Sequence, residues 1–492
     1  MTDESHSNTR GKALSGLMWR FLERFGAQGV TFVVSIILAR LLDPEVYGVV
    51  AIVTVVTAIL NVFVDSGLGN ALIQKKDADD LDFSTVFFFN MAMCAALYLL
   101  VFAAAPLIAR IYGMPELTAL IRVMSLILII SGVKNVQQAY VSRHLLFKRF
   151  FFATLGGTLG AAVLGIWMAY RGMGAWALVA QGLFNAATDT LILWLTVKWR
   201  PKRMFSWERF RGLFSFGWKL LASQLIETVY NNLRQLIIGK LYTAESLAFY
   251  NRGYMLPNVF VVNVNSSIDS VLLPVMSGVQ DEVESVKAMT RRSVKLSSYV
   301  MWPLLLGLAA CSRPLVTVLL TAKWLPCVPY VIIFCVSYAF LPVQTANLNA
   351  IKALGRSDIY LRLETIKKLI GFAILLATMW FGPLVMAASN LFFSVVNMVI
   401  NAWPNRKLLG YSFRQQAADM LPSALLAGLM FAAVWCLQYL GLSPAMTLLV
   451  QIPAGAAVYV LGSALFRIES FGYLLGLVRE LLTRRRRGRT QA

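Results

Sequence analysis

Long apolar runs dominate this chain. From residue 13 to residue 466 they follow one another with only short polar breaks. Each is close to the ~20 residues an α-helix needs to cross a hydrocarbon core. Fourteen spans can be drawn, at 13–39, 46–68, 83–105, 117–140, 150–170, 174–196, 212–240, 255–277, 293–320, 326–350, 364–382, 383–402, 420–440 and 445–466. The eleventh and twelfth are parted only by Gly382-Pro383. The runs are too long and too continuously apolar for barrel strands, whose faces alternate. The expected fold class is an all-α polytopic membrane protein with about 14 transmembrane helices. Of 492 residues 58% are hydrophobic and 14% charged, against ~25% charged in soluble chains. Disorder, collagen-like repeats and nucleic-acid-binding domains are excluded, and no nucleic acid is expected as a partner. The net charge of +21 sits in the breaks between spans, not on a groove.

Cysteine and histidine are uninformative. Cys94, Cys311, Cys327, Cys335 and Cys436 lie in or beside apolar runs, with no C-x-x-C pair, so neither zinc nor a redox motif is supported. His6 and His144 are the only histidines. No metal, cofactor or catalytic residue is expected. The N-terminus, MTDESHSNTRGK, is polar and lacks the pattern of a secretory signal. The first apolar run is therefore expected to be retained.

Orientation follows from lysine and arginine. With the N-terminus inside, 32 of them fall on the inner side and eight on the outer side, Arg252 and Lys240 among the eight. That asymmetry sets both termini in the cytoplasm and requires an even span count. The largest inner break is KWRPKRMFSWERFR, 198–211. The tail has spaced apolar residues from Phe471 to Leu482, then four arginines at 484–487, the pattern of an interfacial helix ending on anionic headgroups.

Spans one and seven share a polar stripe. Arg20, Arg24, Gln28, Thr31 and Ser35 map onto Lys219, Ser223, Glu227, Tyr230 and Arg234 by an offset of 199. Steps of four, four, three and four keep each set on one helical face. Trp19 and Trp218 stand beside the two stripes. In spans two and eight, Asn61-x-x-x-Asp65-Ser66 reappears as Asn265-x-x-x-Asp269-Ser270. These matches favour a duplicated six-helix unit in parallel orientation. The domain expectation is a tail over 1–12, an N-lobe over 13–196, a linker over 197–211, a C-lobe over 212–402, two further helices over 420–466 and a basic tail over 467–492.

Charge inside a span is costly, at ~3 kcal/mol near the helix centre, and is a functional-site hypothesis by default. The spans carry Arg20, Glu23, Arg24, Asp65, Lys134, Asp189, Lys219, Glu227, Arg234 and Asp269 in or near them. Snorkelling accounts equally well for Arg20 and Lys219, and capping or an interfacial position competes for Asp65 and Lys134. Asp189 reads as structural, as do Gly156, Gly157 and Gly160, which permit close helix packing. Arg24, Glu227, Arg234 and Asp269 are harder to dismiss. The expectation is a water-filled cavity in which Arg24, Lys219, Arg234, Gln28, Asn61 and Asn265 bind an anionic substrate. Glu227, Asp269 and Asp65 are the expected ion-coupling groups.

Four segments carry a resemblance: ARLLDPEVYG (39–48), VDSGLGNALIQKKD (64–77), QQAYVSRHLLFKR (137–149) and KALGRSD (352–358). The chain resembles the polysaccharide flippases of the multidrug/oligosaccharidyl-lipid/polysaccharide exporter superfamily, nearest the exopolysaccharide or colanic-acid type. The resemblance implies two six-helix lobes with alternating access, and a lipid groove at the last two helices. It implies transport of undecaprenyl-pyrophosphate-linked oligosaccharide across the bacterial inner membrane. Lipid-linked oligosaccharide and membrane lipids are the implied partners, with polysaccharide polymerase and chain-length machinery beside them. By motif position, Arg24 and Arg234 are the implied headgroup ligands.

Two rival readings differ in what they require. A multidrug or cation antiporter of the same superfamily favours an acidic cavity. A membrane polymerase or ligase needs catalytic residues on a sizeable outer loop, and the outer breaks are short. On the flippase reading, Arg24→Ala and Arg234→Ala each impair polymer export while leaving membrane insertion intact. Normal polymer output from both variants at matched expression rejects that assignment.

Overall fold

The computed structural model describes residues 26–65, 67–144, 146, 148–476 and 479–480. They are helical, with no strand among the described residues. Two compact units divide the chain, 1–248 and 249–492.

The first unit contains α1 (Gly26–Leu41), α2 (Pro44–Asp65), α3 (Leu68–Gln74), α4 (Asp80–Tyr112), α5 (Leu117–Met124), α6 (Leu126–Arg143), α7 (Lys148–Tyr170), α8 (Ala175–Thr196) and α9 (Trp207–Leu241). Next comes α10 (Ala244–Ser277), most of which belongs to the second unit. That unit continues with α11 (Val283–Ala310), α12 (Ser312–Leu320), α13 (Val328–Ala339), α14 (Leu341–Ala353), α15 (Ser357–Thr378), α16 (Pro383–Leu408), α17 (Phe413–Cys436) and α18 (Pro444–Leu465).

Among the described residues, eleven helical stretches are long and apolar enough to cross a membrane, and α1 is a shorter apolar helix. The sequence count of fourteen is higher for a physical reason. Expected spans seven and eleven are the helices α9 and α15, both long enough, but α9 carries Lys219, Glu227 and Arg234 and α15 carries Arg362, Glu364, Lys367 and Lys368. The first expected span lies partly outside the described residues. Helix starts also move. The eighth span, drawn from 255, is a helix from Ala244, because the Thr243 hydroxyl accepts the Ser246 N–H at 3.1 Å. Arg252, assigned to an outer break, is therefore inside α10. It is buried there, with its guanidinium over the Trp324 ring at 5.1 Å.

Helix ends follow capping chemistry. Asp79 and Asp82 form a capping box on α4, and Ser412 and Gln415 form one on α17. Accepting the Asp82 N–H, with Arg209 nearby, holds the Asp79 carboxyl below its usual range. The motif at 352–358 is a turn: Gly355 closes α14, and the Arg356 fork grips both carboxylate oxygens of Asp358 at 3.0 Å. That contact pulls Asp358 down to about 2.

The segment expected to be a linker is bound to the first unit. Lys202 N–H donates to Ser84 Oγ at 3.0 Å and Ser206 N–H to Thr85 Oγ1 at 3.2 Å. Trp199 Nε1 reaches Asp80 at 3.1 Å, and Lys202 pairs with that carboxylate at 2.5 Å. Trp199 and Phe210 also enter the buried cluster built on Phe83 and Phe87. The segment is thus stapled to the start of α4, and α9 packs on α2, α3 and α4.

The α1–α2 and α9–α10 turns are alike. Leu42 N–H closes on Leu38 O, and Tyr242 N–H closes on Ile238 O, 200 residues later. The two turns meet at Gly48, where a Cβ would lie 1.7 Å from the Ala244 carbonyl oxygen. Backbone cannot yield as a flexible side chain can. Gly48→Ala is expected to cost more than ~2 kcal/mol, read as a sharp loss of monodisperse protein and a lower melting temperature. A wild-type melt overturns this close approach.

Candidate functional site

A cavity of about 960 Å³ lies in the first unit, walled by α2, α3, α6, α7 and α9. Ten of its nineteen lining residues are polar, and nine of those ten are uncharged amides or hydroxyls. Each wall supplies them by helical spacing. Asn61 and Asp65 come from one face of α2, and Asn70 from α3. Asn135, Gln138 and Ser142, at steps of three and four, come from one face of α6. Thr154 comes from α7, and Ser223, Gln224 and Thr228 from α9.

Asp65 is the only ionisable side chain lining the cavity among the described residues. Asn135 fixes it, with Nδ2 donating to Asp65 Oδ1 and to the Val64 carbonyl, both at 3.2 Å. The approach is possible because Gly69 has no side chain: a Cβ there would lie 3.0 Å from Asn135 Oδ1. Gly67, at φ 67°, makes the break between α2 and α3 that aims α3 at this wall. The motif at 64–77 is thus the floor of the cavity. The motif at 137–149 holds that floor, because Arg143 Nη1 donates to the Leu72 and Lys75 carbonyls at the end of α3.

The charged pair next to this wall is neutralised internally. Lys134 Nζ meets Asp189 Oδ2 at 2.9 Å, joining α6 to α8, with both side chains largely buried. Asp189 thus has the structural role read from its sequence position. Lys134 shares that role and does not face the cavity.

The structure brings together only part of the expected set. Asn61 and Asp65 line the cavity. Gln28, on α1, is exposed and is not among the lining residues, and the same is true of Lys219 on α9. Glu227 and Arg234 are half-buried and are not among the lining residues. Glu227 instead accepts from Asn231 Nδ2 at 2.9 Å. Asn265 and Asp269 belong to the second unit, where Thr345 Oγ1 donates to Asn265 Oδ1 at 2.7 Å and Asp269 is exposed. Arg24 lies outside the described residues, as do Arg20, Glu23 and Ser66. The expected basic lining is therefore absent from this cavity among the described residues. Asn135, Gln138, Ser142, Gln224 and Thr228 were not expected. Their signal was the i, i+3, i+7 run of amide and hydroxyl residues in α6, and the i, i+4 pair in α9.

The ion pair gives a stability test. Lys134→Ala leaves Asp189 without its counter-charge in a low-dielectric setting and is expected to cost about 3 kcal/mol. Lys134→Met together with Asp189→Leu is expected to recover most of that loss. Thermal unfolding of the purified protein checks both, and a single variant as stable as wild type removes the pair's structural role.

Comparison with known proteins places this geometry. The family described as "Polysaccharide biosynthesis protein" matches residues 37–329. The teichuronic acid biosynthesis protein TuaB of Bacillus subtilis (strain 168) is 24% identical over 423 residues, covering 82% of this chain and 85% of that protein. The lipopolysaccharide biosynthesis protein WzxC of Escherichia coli (strain K12) is 24% identical over 410 residues, covering 82% and 83%. Among solved structures, the lipid II flippase MurJ in an inward closed conformation superposes with a TM-score of 0.73 at 14% identity, over 92% of this chain and 98% of that one. The fold is shared.

Proposed function

The chain belongs to the polysaccharide biosynthesis protein family, and on that premise we propose that it carries a lipid-linked oligosaccharide across the bacterial inner membrane by alternating access. The protein is a multi-pass membrane protein. The observation that carries the reading is the cavity lining. Nine uncharged amide and hydroxyl side chains around about 960 Å³ offer both donors and acceptors, which is what sugar hydroxyls require. A drug-type pocket is lined predominantly by apolar and aromatic groups. Here Phe150 is the only aromatic residue on the wall among the described residues.

In this proposal fourteen spans cross the membrane, with both termini in the cytoplasm. The glycan occupies the cavity, and its anionic pyrophosphate meets Arg24, Lys219 or Arg234. The lipid tail stays in hydrocarbon. Asp65, Glu227 and Asp269 are the carboxylates available for ion coupling. The protein's part is to bind and to change access, without breaking a covalent bond. Polymerase and chain-length proteins act on what it delivers.

The test is transport in proteoliposomes. Labelled undecaprenyl-pyrophosphate oligosaccharide is loaded in one leaflet, and its arrival in the other is read with an impermeant reagent. Asn61→Leu with Gln138→Leu removes two lining amides and is expected to slow transfer at least tenfold, with the variant still folded. Undiminished transfer by that variant, or no transfer by the wild type, refutes the proposal.

A further inference from the structure

The carboxylate on the floor of the glycan cavity stands in a setting that restricts what it can hold. Asp65 has two oxygens, with about four acceptor positions between them. Asn135 Nδ2 occupies one, on Oδ1 at 3.2 Å. No donor among the described residues meets Oδ2. The side chain is exposed and lines the cavity. Gly67 and Gly69 follow it in the chain and line the same floor, so the floor there is largely bare backbone.

The rest of the lining is neutral. Asn61, Asn70, Gln138 and Gln224 make no side-chain hydrogen bond to another described residue. An amide offers both a donor and an acceptor, whereas an ionised carboxylate only accepts. The lining thus holds one fixed charge among the described residues, and it is negative. Lys134, the cation behind this wall, is held by Asp189 at 2.9 Å.

Sugar chemistry divides on that charge. A neutral ring carries hydroxyls on neighbouring carbons, and each can donate. A hydrogen bond to an ionised acceptor is about twice as strong as one between neutral groups, so a pair of hydroxyls gains most at Asp65. A sugar carboxylate has no proton to give. Its charge would meet that of Asp65 with no cation beside them among the described lining residues. Two like charges ~4 Å apart lower a binding constant about fivefold even at the dielectric of water, and further beside protein.

We propose that Asp65 is the specificity-determining residue of the glycan cavity. It seats an uncharged sugar through two neighbouring hydroxyls and rejects a sugar that carries a carboxylate at that place in the repeat unit. This rests on the transport reading and adds to it the chemical class of one sugar. The restriction applies to the sugar on the floor, so an acidic sugar elsewhere in the repeat is still carried.

The test is binding by the full-length purified protein, read by native mass spectrometry. Binding is read in place of transfer because Asp65 is also a carboxylate available for ion coupling. The probes are undecaprenyl-pyrophosphate trisaccharides. One has three neutral hexoses, and in the others each hexose in turn is replaced by its uronate. Wild type is expected to bind the neutral probe more tightly than one of the uronate probes by roughly tenfold or more. Asp65→Asn keeps the oxygen that Asn135 bonds and removes the charge, so its melting temperature should hold. It should weaken binding of the neutral probe roughly threefold to tenfold and bring the rejected probe to within about threefold of it. Asn70→Lys, at an exposed position on the same floor, should raise binding of the rejected probe with Asp65 in place. Equal binding of all the probes by wild type, or a preference that survives Asp65→Asn, overturns the proposal. A preference that follows Asp65 upholds it even where transfer is absent, and then only the transport reading falls.

Discussion

Hydrocarbon offers no hydrogen-bond partner, and most of this architecture answers that constraint. Helices satisfy their own backbone groups. Polar side chains inside them must then find one another, line water, or reach an interface. The second unit shows the first solution. Asn347, Asn405 and Gln416, all buried, close a network across α14, α16 and α17, with Asn347 Nδ2 to Gln416 Oε1 at 2.7 Å and Asn405 Nδ2 to Asn347 Oδ1 at 2.6 Å. In such a network each amide lowers the cost of burying the next. The first unit shows the second solution, in which amides on α2, α6 and α9 surround a cavity.

The same constraint separates charges that fold the protein from charges that are available to act. Lys134 would be costly on an apolar helix, and Asp189 removes most of that cost by pairing with it across α6 and α8. Asp65 has a different setting. It accepts one neutral hydrogen bond from Asn135 and faces the cavity. An amide brings no counter-charge to the carboxylate it bonds, whereas a lysine cancels the charge of the one it pairs with. The neutral partner leaves Asp65 able to meet a sugar hydroxyl or a cation.

Much of the fold was legible because apolar length is a direct consequence of membrane thickness. The Gly382-Pro383 turn was legible too: α16 begins with Pro383 at its first position, after Gly382 at φ 103°. The site was less legible. Spacing paired Asn61 and Asp65 with Asn265 and Asp269, and only the first pair lines the cavity, because what a polar residue faces depends on its neighbours and not on its own helix. Asp65 faces Asn135 on α6, whereas Asn265 is taken by Thr345 on α14. Arg143 read as one more inner-side cation. Its work is to cap α3, which no count of charge reveals. Runs of amides on one helical face, as in α6, were the clearer sign of a wet wall, since an amide has no reason to face lipid.

A wall of amides and hydroxyls with a single carboxylate also suits a carrier better than a strongly basic one would. A site that moves cargo must release it on the far side, so tight binding of an anion by several arginines would slow the cycle. Amide and hydroxyl contacts are individually worth about 1 kcal/mol net, and water can replace them one at a time. They give a glycan many weak attachments without a single deep well. Stronger charge then belongs near the mouth of such a site, where it gathers an anionic head. Among the described residues, the lysine inside α6 is paired with Asp189 of α8 and no cation lines the cavity, so release does not have to overcome one.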